Sequence, residues 1–348
     1  MSLLLRLVRL LREITTDVYR AILRSAAYAA ALFRSRRIRI VETIEGDQNL
    51  AKATKVAIYA NFDANGQVHS YVHRQVEALA NTGFCVVFVT NSTKLDPNSI
   101  ALLKPHVGQI LCRKNIGYDF GAYKDGILSI KQPESLEALL IVNDSVYGPF
   151  KPLNEILNSD ANQHADVLAI TDSWEIRYHL QSYFILFNQK TLAHSEFWKF
   201  WTDLRYINNK GAVVRHYEIG LTRLLLKLRL RCEALYPYQV AARMMYEELG
   251  AVDLNSKSFN LRLKEEQDYI ETMLQSLSAG IPLNGSHFLW QKLVLEMGCP
   301  FVKRELLAVN PMKVPNLIKF EESLKQVSDY DFDLIREHLK VINRMRFL

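Results

Sequence analysis

Two polar stretches of this sequence have residue types and spacing suited to binding a phosphorylated ligand. Residues 113–126 (RKNIGYDFGAYKDG) follow the apolar run 109–112, and residues 141–149 (IVNDSVYGP) end the apolar run 138–142. Residues that follow buried strands collect at the carboxyl edge of an open α/β sheet, where such folds bind ligands. We therefore expect the two stretches to form two walls of one site.

The first stretch resembles a phosphate-binding helix start. Gly117 and Gly121 allow a ligand to approach the backbone, and a helix opening at Asp119 would present unpaired N–H groups. We predict that Arg113, Asn115, Gly117 and Asp119 bind the ligand. The spacing is Gly-x-x-x-Gly, so the dinucleotide fingerprint Gly-x-Gly-x-x-Gly is absent. A capped helix start without a ligand remains the alternative.

The second stretch could hold a metal ion. Asn143, Asp144 and Ser145 offer one carboxylate and two neutral oxygens, which suit Mg²⁺ or Mn²⁺ shared with a diphosphate. We predict Asp144 as the metal ligand, with Asn143 and Ser145 on the diphosphate. The alternative is a turn that Asp144 or Ser145 caps. Without a metal, the diphosphate charge would need ion pairs, and the candidates are Arg113, Lys114, Lys303 and Arg304.

Hydrophobic patterning predicts the elements that position these residues. Strand-like runs lie at 55–60, 84–89, 109–112, 138–142, 165–171 and 181–187. Helical patterns separate the first four, which implies an α/β fold with a mostly parallel sheet. Later helical candidates lie at 197–204, 217–230, 258–278, 287–297, 315–327 and 329–346. We predict one α/β domain over residues 47–310 and a helical tail over residues 311–348.

Basic charge is concentrated at the N-terminus. Residues 1–40 hold nine Arg against Glu13 and Asp17, a net charge of +7, which leaves about −1 for the rest. This distribution argues against a nucleic-acid-binding body, whose cations would cover a folded face. Residues 1–46 read as an amphipathic helix and a linker, too often charged to span a bilayer or to form a signal peptide.

The basic helix has two interpretations. We predict that it lies on an anionic membrane surface, with Leu at the acyl boundary and Arg at the headgroups. The alternative is a helix packed on its own domain or on a partner subunit. The composition, 49% hydrophobic and 23% charged, fits a packed globular protein. The four Cys are widely spaced, which favours free thiols in a reducing compartment.

Six sequence blocks resemble the rhamnan synthesis protein F family. They are residues 115–123 (NIGYDFGAY), 143–149 (NDSVYGP), 179–184 (HLQSYF), 217–221 (YEIGL), 284–290 (NGSHFLW) and 300–307 (PFVKRELL). The region they mark, about residues 55–312, is most of the chain. Residues 113–126 also resemble the Asn-x-Gly-x-x-x-Ala pattern of family-two glycosyltransferases, and residues 143–145 fall where those enzymes carry Asp-x-Asp.

The resemblance implies a GT-A-like glycosyltransferase in bacterial polysaccharide assembly, for example of O-antigen. Its donor would be dTDP-L-rhamnose, its acceptor a lipid-linked saccharide, and its place the cytoplasmic face of the inner membrane, as a peripheral protein beside other assembly enzymes. One alternative keeps the fold and uses a UDP- or GDP-sugar. Another is a membrane-docked, non-catalytic nucleotide-sugar-binding subunit, which the incomplete Asp-x-Asp makes worth considering.

Inverting transfer needs one carboxylate to take the proton of the acceptor hydroxyl. Glu218 is the first candidate, because the resembling enzymes carry an acidic residue near a helix start on the acceptor side. A helix-start carboxylate favoured by the helix dipole is the alternative. Asp172, directly after the fifth predicted strand, is the second candidate base, with a simple turn residue as its alternative.

The remaining predicted site residues are polar or aromatic side chains near strand ends and helix starts. Those assigned to acceptor binding are Trp174, His179 and Gln181. Those assigned to donor binding are Asn61 and Asp63 at the base and ribose, and His287 at the diphosphate. The alternatives are an aromatic core, helix caps and a structural histidine.

Overall fold

Apolar runs form the centre of a mixed sheet in the computed structural model, which describes residues 3–34 and 36–346, with side-chain surroundings for 15–34 and 36–342. The strands are β1 (Ile40–Glu45), β2 (Lys55–Asn61), β3 (Cys85–Thr90), β4 (Gln109–Arg113), β5 (Ala138–Asn143), β6 (Val146–Tyr147), β7 (Val167–Ser173), β8 (His179–Leu180), β9 (Phe184–Asn188), β10 (Cys232–Tyr236) and β11 (Val302–Lys303).

Helices flank the sheet on both faces. They are α1 (Leu3–Leu32), α2 (Ser70–Ala80), α3 (Pro97–Leu103), α4 (Tyr118–Ser129), α5 (Leu153–Leu157), α6 (Asp160–His164), α7 (Gln189–Leu192), α8 (Ser195–Asp203), α9 (Lys210–Val213), α10 (Ile219–Lys227), α11 (Tyr238–Gly250), α12 (Lys257–Asn260), α13 (Lys264–Ser278), α14 (Gly285–Phe288), α15 (Arg304–Ala308), α16 (Phe320–Lys325) and α17 (Asp333–Arg346). Short 3₁₀ turns lie at Leu50–Lys52, Lys104–His106, Pro133–Ser135 and Leu317–Lys319, and π-helical turns at Val214–Glu218 and Lys292–Glu296.

The strand order across the main sheet is β1-β4-β3-β2-β5-β9-β7-β10, and β8 pairs with β7. Parallel pairing joins β4, β3, β2 and β5, and it also joins β7 to β10. The reversed strand β9 lies between β5 and β7. The predicted α/β class with a mostly parallel central sheet is confirmed. Because Ala60 of β2 is in register with Asn143 of β5, their carboxyl ends meet, as predicted.

Burial on both faces explains the continuous apolar runs. Every residue of β3, β5 and β7 is buried, and alternate residues point to opposite faces of the sheet. On β2, for example, Ala57 and Tyr59 enter one core, while Val56 and Ile58 enter the other. The first core contains α2 and α11, and the second contains α4 and α8, so the strand ends are held from both sides.

Several elements lie outside the predicted pattern. Residues 40–45, predicted as part of a helix and linker, form β1, which pairs antiparallel with β4. Neither β10 nor α11 was predicted. The strands β1 and β10 form the two edges of the sheet, and each of their side chains is at least partly exposed. Their sequences therefore lack the continuous apolar run of a strand that is buried on both faces. The predicted tail joins the main core through Phe320, Leu324 and Ile335.

The last turns of α1 pack on the domain. Ala31 is fully buried, and the ring of Tyr28 stacks on His216 with 3.9 Å between ring centroids. Farther along, Arg34 Nη1 donates to the carbonyl of Tyr206 at 3.2 Å. Among the described residues, no helix combines the length and hydropathy needed to cross a bilayer. The predicted contact of residues 1–46 with a membrane surface stays a prediction.

Candidate functional site

Asp144 occupies the centre of the joined ends of β2 and β5. Its Oδ2 accepts a hydrogen bond from Asn61 Nδ2 at 2.9 Å and from the backbone N–H of Phe62 at 3.2 Å. The same oxygen lies 3.5 Å from Arg304 Nη1, so the carboxylate also has a cationic partner. The structure thus brings together Asn61 and Asp144, both predicted site residues, with Arg304, one of the predicted candidate cations.

A two-stranded ribbon carries the basic residues to this place. β11 pairs antiparallel with β6, so Lys303 is opposite Val146, and the N–H of Arg304 donates to the carbonyl of Ser145 at 2.9 Å. Lys303 Nζ lies 3.4 Å from Ser145 Oγ and 4.2 Å from the centroid of the Tyr183 ring. The segment after Pro300 is therefore fixed against the end of β5.

Tyr71 of α2 holds the guanidinium in position. Its hydroxyl accepts from Arg304 Nη1 at 2.8 Å and donates to the carbonyl of Asp144 at 3.1 Å. Burial disfavours the charged guanidinium, but the carboxylate of Asp144 and the hydroxyl of Tyr71 outweigh it, so the pKa of Arg304 is raised. The helical pattern between the first two predicted strands covers Tyr71, but helical periodicity does not reveal its role in this polar network.

Asp119 and Asn143 form a second polar layer beside Asp144. Asn143 Nδ2 donates to Asp119 Oδ2 at 2.9 Å, while Asn143 Oδ1 accepts from the N–H and Oγ of Ser145 at 3.1 and 2.6 Å. Burial, together with the nearby charge of Asp144, raises the pKa of Asp119 to about 6. Both sequence stretches thus meet at one edge, as predicted.

The predicted Mg²⁺ or Mn²⁺ site at Asp144 does not fit this arrangement. The carboxylate of Asp144 faces the Arg304 guanidinium, and the amide nitrogen of Asn143 is directed at Asp119. Among the side chains that the structure describes, no three His, Cys, Asp or Glu are grouped closely enough to hold a metal ion. Divalent magnesium and manganese prefer oxygen ligands, whereas the group opposite Asp144 is itself a cation.

Glu218, the first predicted base, lies at the end of the π-helical turn that leads into α10. Its Oε1 accepts from the N–H and the Oγ of Ser182 at 2.7 and 2.8 Å. Its Oε2 lies 3.9 Å from His179 Nε2, and the side chain is 15% exposed. One carboxylate oxygen is thus fixed, while the other is not committed to a hydrogen bond within the described residues. The position is inside a continuous helical run, rather than just before a helix as expected.

Asp172 is engaged at a helix start. Its Oδ1 accepts from the N–H of Tyr238 at 2.6 Å, at the first residue of α11, and its Oδ2 accepts from Trp174 Nε1 at 3.2 Å. Burial raises the pKa of this carboxyl. Both oxygens therefore have partners, which distinguishes Asp172 from Glu218 as a candidate base, although the assignment of either one stays a prediction.

The predicted acceptor residues cluster around β7 and β8. Gln181 Oε1 accepts from Thr171 Oγ1 at 2.6 Å, and His179 is buried with its Nδ1 2.7 Å from the carbonyl of Arg177. Trp174 is 37% exposed and lies 5.0 Å from the ring of Tyr178, centroid to centroid. Of the three predicted acceptor residues, His179 is the one that lies beside Glu218, with 3.9 Å between its Nε2 and Glu218 Oε2.

Several of the predicted donor-binding residues do not contact the group around Asp144. Arg113 ends β4 but is fully buried, with its Nε 2.6 Å from Asp125 Oδ2 and its Nη2 2.7 Å from the carbonyl of Ile116, so its side chain is directed into the core. Asn115 is exposed. Gly117 has a φ of +88°, which favours glycine, and precedes α4.

Asp63 and His287 also have local partners. Asp63 Oδ1 accepts from the backbone N–H groups of Asn65 and Gln67 at 2.8 and 3.0 Å, so it closes the turn after β2. His287 Nδ1 lies 2.9 Å from Asn284 Oδ1, while its buried Nε2 has no hydrogen-bond partner among the described residues. Burial, with repulsion from Lys303 and Lys210, lowers the pKa of His287 to about 4, so the imidazole is neutral at pH 7.

Comparisons with known proteins point to polysaccharide synthesis and virulence proteins. The chain is 29% identical over 302 residues to the virulence protein VirA of Vibrio anguillarum, an alignment covering 82% of this chain and 90% of VirA. It is 32% identical over 173 residues to the uncharacterized protein y4gN of Sinorhizobium fredii, covering 48% of this chain and 45% of that protein.

Among solved structures, the glycosyltransferase GlyE of Streptococcus pneumoniae aligns with a TM-score of 0.32 and 14% identity, over 66% of this chain and 64% of GlyE. The galactosyltransferase LgtC, solved with donor and acceptor sugar analogues, aligns with a TM-score of 0.27 and 14% identity, over 47% of this chain and 71% of LgtC. The family model of rhamnan synthesis protein F matches residues 86–247. Over that part of the chain, the predicted resemblance to the rhamnan synthesis protein F family is therefore confirmed.

Proposed function

We propose that this protein is an inverting glycosyltransferase that uses a nucleotide-activated sugar. The main support is that two groups of charged residues lie around Asp119, since the charges of Asp144 and Glu218 both raise the pKa of its carboxyl. In the first group, Asp144 and Arg304 form a charged pair at the end of β5. In the second, Glu218 presents a carboxylate that Ser182 orients. The family match includes Asp144, Ser182 and Glu218.

This arrangement can perform a direct displacement. Glu218 takes the proton of the acceptor hydroxyl while the acceptor oxygen forms a bond to the anomeric carbon of the donor sugar. At the same time the bond from that carbon to the diphosphate breaks, and the diphosphate leaves with the electron pair. The charge that grows on the leaving group needs cationic or hydrogen-bonding partners on the donor side, opposite the base.

For the sugar, we propose L-rhamnose donated by dTDP-L-rhamnose, with a lipid-linked saccharide as the acceptor. The support is the name of the matching family, which concerns rhamnan, a polymer of rhamnose. A UDP- or GDP-sugar is the second candidate donor, since the cations at the end of β5 could pair with the diphosphate of any nucleoside diphosphate sugar. A nucleotide-sugar-binding subunit without turnover is the non-enzymatic alternative.

Release of the nucleotide tests the proposal. The full chain is incubated with dTDP-rhamnose, UDP-glucose or GDP-mannose, each with and without a rhamnose-terminated lipid-linked acceptor. We expect dTDP release that depends on the acceptor, with a product extended by one sugar in the mass spectrum. Acceptor-dependent release from a different donor would replace rhamnose in the proposal. Binding of a donor without turnover of any of them would favour the non-catalytic subunit.

We also propose that α1 places the enzyme on the cytoplasmic face of the bacterial inner membrane. The support is charge and exposure: residues 1–40 have a net charge of +7, and Val18 and Ile22 are 54% and 60% exposed. These two residues are four positions apart, so they lie on one face of the helix. The packed turns around Ala31 would then hold the domain beside a lipid-linked acceptor.

Replacing Val18 and Ile22 together by serine should weaken binding to anionic vesicles by about tenfold or more, because each apolar side chain contributes about 1 kcal/mol or more when it leaves water. The measurement is co-sedimentation of the full chain with vesicles of phosphatidylglycerol and phosphatidylethanolamine. Ile318→Ser is the control, since Ile318 is 94% exposed at a distant position. Equal binding by the double variant and the wild type would contradict the membrane role of this face.

A further inference from the structure

We propose that Lys303 and Arg304 form a metal-independent binding site for the diphosphate of the donor. The proposal rests on the proposed function for the identity of the ligand, and it replaces the divalent cation that the sequence led us to expect at Asp144. Its basis is a pair of adjacent cations fixed against the end of β5, in a place where the side chains do not fit a metal ion.

The ribbon of β6 and β11 fixes both cations. Lys303 is in register with Val146, and the N–H of Arg304 donates to Ser145, so the backbone around both residues is joined to the segment that follows Asp144. Arg304 is additionally held by Tyr71 and Asp144. A ligand at this strand end would therefore meet two positive groups whose backbone is already ordered, which reduces the entropy cost of binding.

Lys303 is the cation that lacks an anionic partner. Its Nζ is 3.4 Å from the neutral Ser145 Oγ and lies over the ring of Tyr183, and within the described side chains it forms no ion pair. Arg304, in contrast, already has Asp144. Partial burial of an ammonium group costs free energy unless an anion forms an ion pair with it. The positive charge of Lys303 therefore points to an anionic ligand beside Ser145.

The other basic candidates are unsuitable for this role. Arg113 is buried in an ion pair with Asp125, and His287 is neutral at pH 7. Lys114 is exposed and follows β4, which β3 and β2 separate from β5. The two remaining cations are adjacent in sequence and match the two charged phosphoryl groups of a nucleoside diphosphate better than a single phosphate. Ammonium and guanidinium groups both donate hydrogen bonds to phosphoryl oxygens, and a guanidinium can do so with two nitrogens.

Titration calorimetry of the full chain with dTDP, UDP and GDP, in EDTA and in Mg²⁺, tests the site. We expect at least one of the three to bind in EDTA, with an affinity within about twofold of that in Mg²⁺. Lys303→Met should weaken this binding by about tenfold or more, because a charge-assisted contact is lost. Thymidine, uridine or guanosine, which lack the diphosphate, should show no such difference between the wild type and the variant.

Two matched variants complete the test. Lys303→Arg keeps the charge and should retain most of the affinity. Lys190→Met removes a surface lysine that pairs with Asp166 at 2.8 Å and should bind like the wild type. Circular dichroism melting of Lys303→Met shows whether it is folded; if it is not, the comparison is made with Lys303→Gln.

A pH series separates Lys303 from a merely structural residue. Burial lowers the pKa of Lys303 to about 8, and its neighbours act in both directions: Glu218, Asp119 and Glu305 raise it, while Lys210 lowers it. Since the protonated ammonium binds the diphosphate, affinity should fall as the pH rises from about 7 to about 9.5. Lys303→Arg should lose this dependence, because guanidinium stays charged throughout that range.

The results distinguish this inference from the proposed function. Binding that EDTA abolishes and Mg²⁺ or Mn²⁺ restores would overturn it, as would unchanged affinity in a folded Lys303→Met, or no binding of any of the three diphosphates. Because calorimetry needs no acceptor, nucleoside diphosphate binding in EDTA that depends on Lys303 supports the site even if no donor is turned over. In that case the glycosyltransferase proposal would fail, while the proposed diphosphate site would stand.

Discussion

Replacing Glu218 by glutamine is expected to slow the chemical step by about two to four orders of magnitude, while donor affinity stays close to that of the wild type. The side-chain amide has nearly the shape of the carboxylate, and its oxygen can still accept from the N–H and Oγ of Ser182. What it cannot do is take the proton of the acceptor hydroxyl. The loss should therefore appear in the rate at saturating substrate.

Single-turnover measurements with saturating donor and acceptor give the chemical step, and calorimetry with dTDP gives donor-side affinity. Asp166→Asn is the matched control, because Asp166 also accepts from a backbone N–H, that of Arg231 at 2.8 Å, but lies outside the candidate site. A wild-type rate for Glu218→Gln would move the role of base to Asp172. Loss of donor affinity together with the rate would mean that Glu218 supports the structure around Ser182.

The strands of the sheet centre could be predicted because they are buried on both faces. β2, β3 and β5 read as unbroken apolar runs, and polar residues follow them directly. The edge strands β1 and β10 have partly exposed side chains and left no such run. The ribbon of β6 and β11 has two residues in each strand and pairs Val302 with Tyr147 and Lys303 with Val146, which are far apart in the chain, so no local pattern could reveal it.

The location of the candidate site could be predicted from the sequence, but most of its side-chain contacts could not. Asn61 and Asp144 follow parallel neighbouring strands, and that placement alone brings them together. Arg113 also ends a strand, but its partner Asp125 is on α4 and draws the guanidinium into the core. Which of two strand-end residues faces a ligand depends on such tertiary ion pairs, which spacing along the chain does not encode.

For Glu218, too, the sequence predicted the location of the residue but not the contacts of its side chain. An acidic residue beside a helix was predicted, yet the contact that orients its carboxylate comes from Ser182, 36 positions earlier in the chain. The π-helical turn that ends at Glu218 inserts an extra residue into the helical repeat and so changes the direction of its side chain. Sequence periodicity assumes a regular helix and could not supply this orientation.

Replacing Asp144 by asparagine is expected to nearly abolish turnover, by about two orders of magnitude or more, through misplacement of Arg304. The substitution removes the negative charge that faces the guanidinium at 3.5 Å and also weakens the acceptor for Asn61 Nδ2 and the N–H of Phe62. Arg304 would then lack its only carboxylate partner among the described side chains. Because Arg304 is part of the proposed diphosphate site, the loss should fall on the donor side.

The same substitution should lower the free energy of unfolding by about 1–3 kcal/mol, the usual cost of losing a charge-assisted hydrogen bond in a mostly buried place. Urea unfolding measures that change, and nucleotide release per folded molecule measures turnover. Asp125→Asn is the matched control, since its pair with Arg113 is fully buried but joins α4 to β4, outside the joined ends of β2 and β5. We expect Asp125→Asn to cost at least as much stability and yet to keep turnover per folded molecule. Wild-type turnover in Asp144→Asn would contradict the assignment of Asp144, because a carboxylate that only stabilised the fold would behave like Asp125.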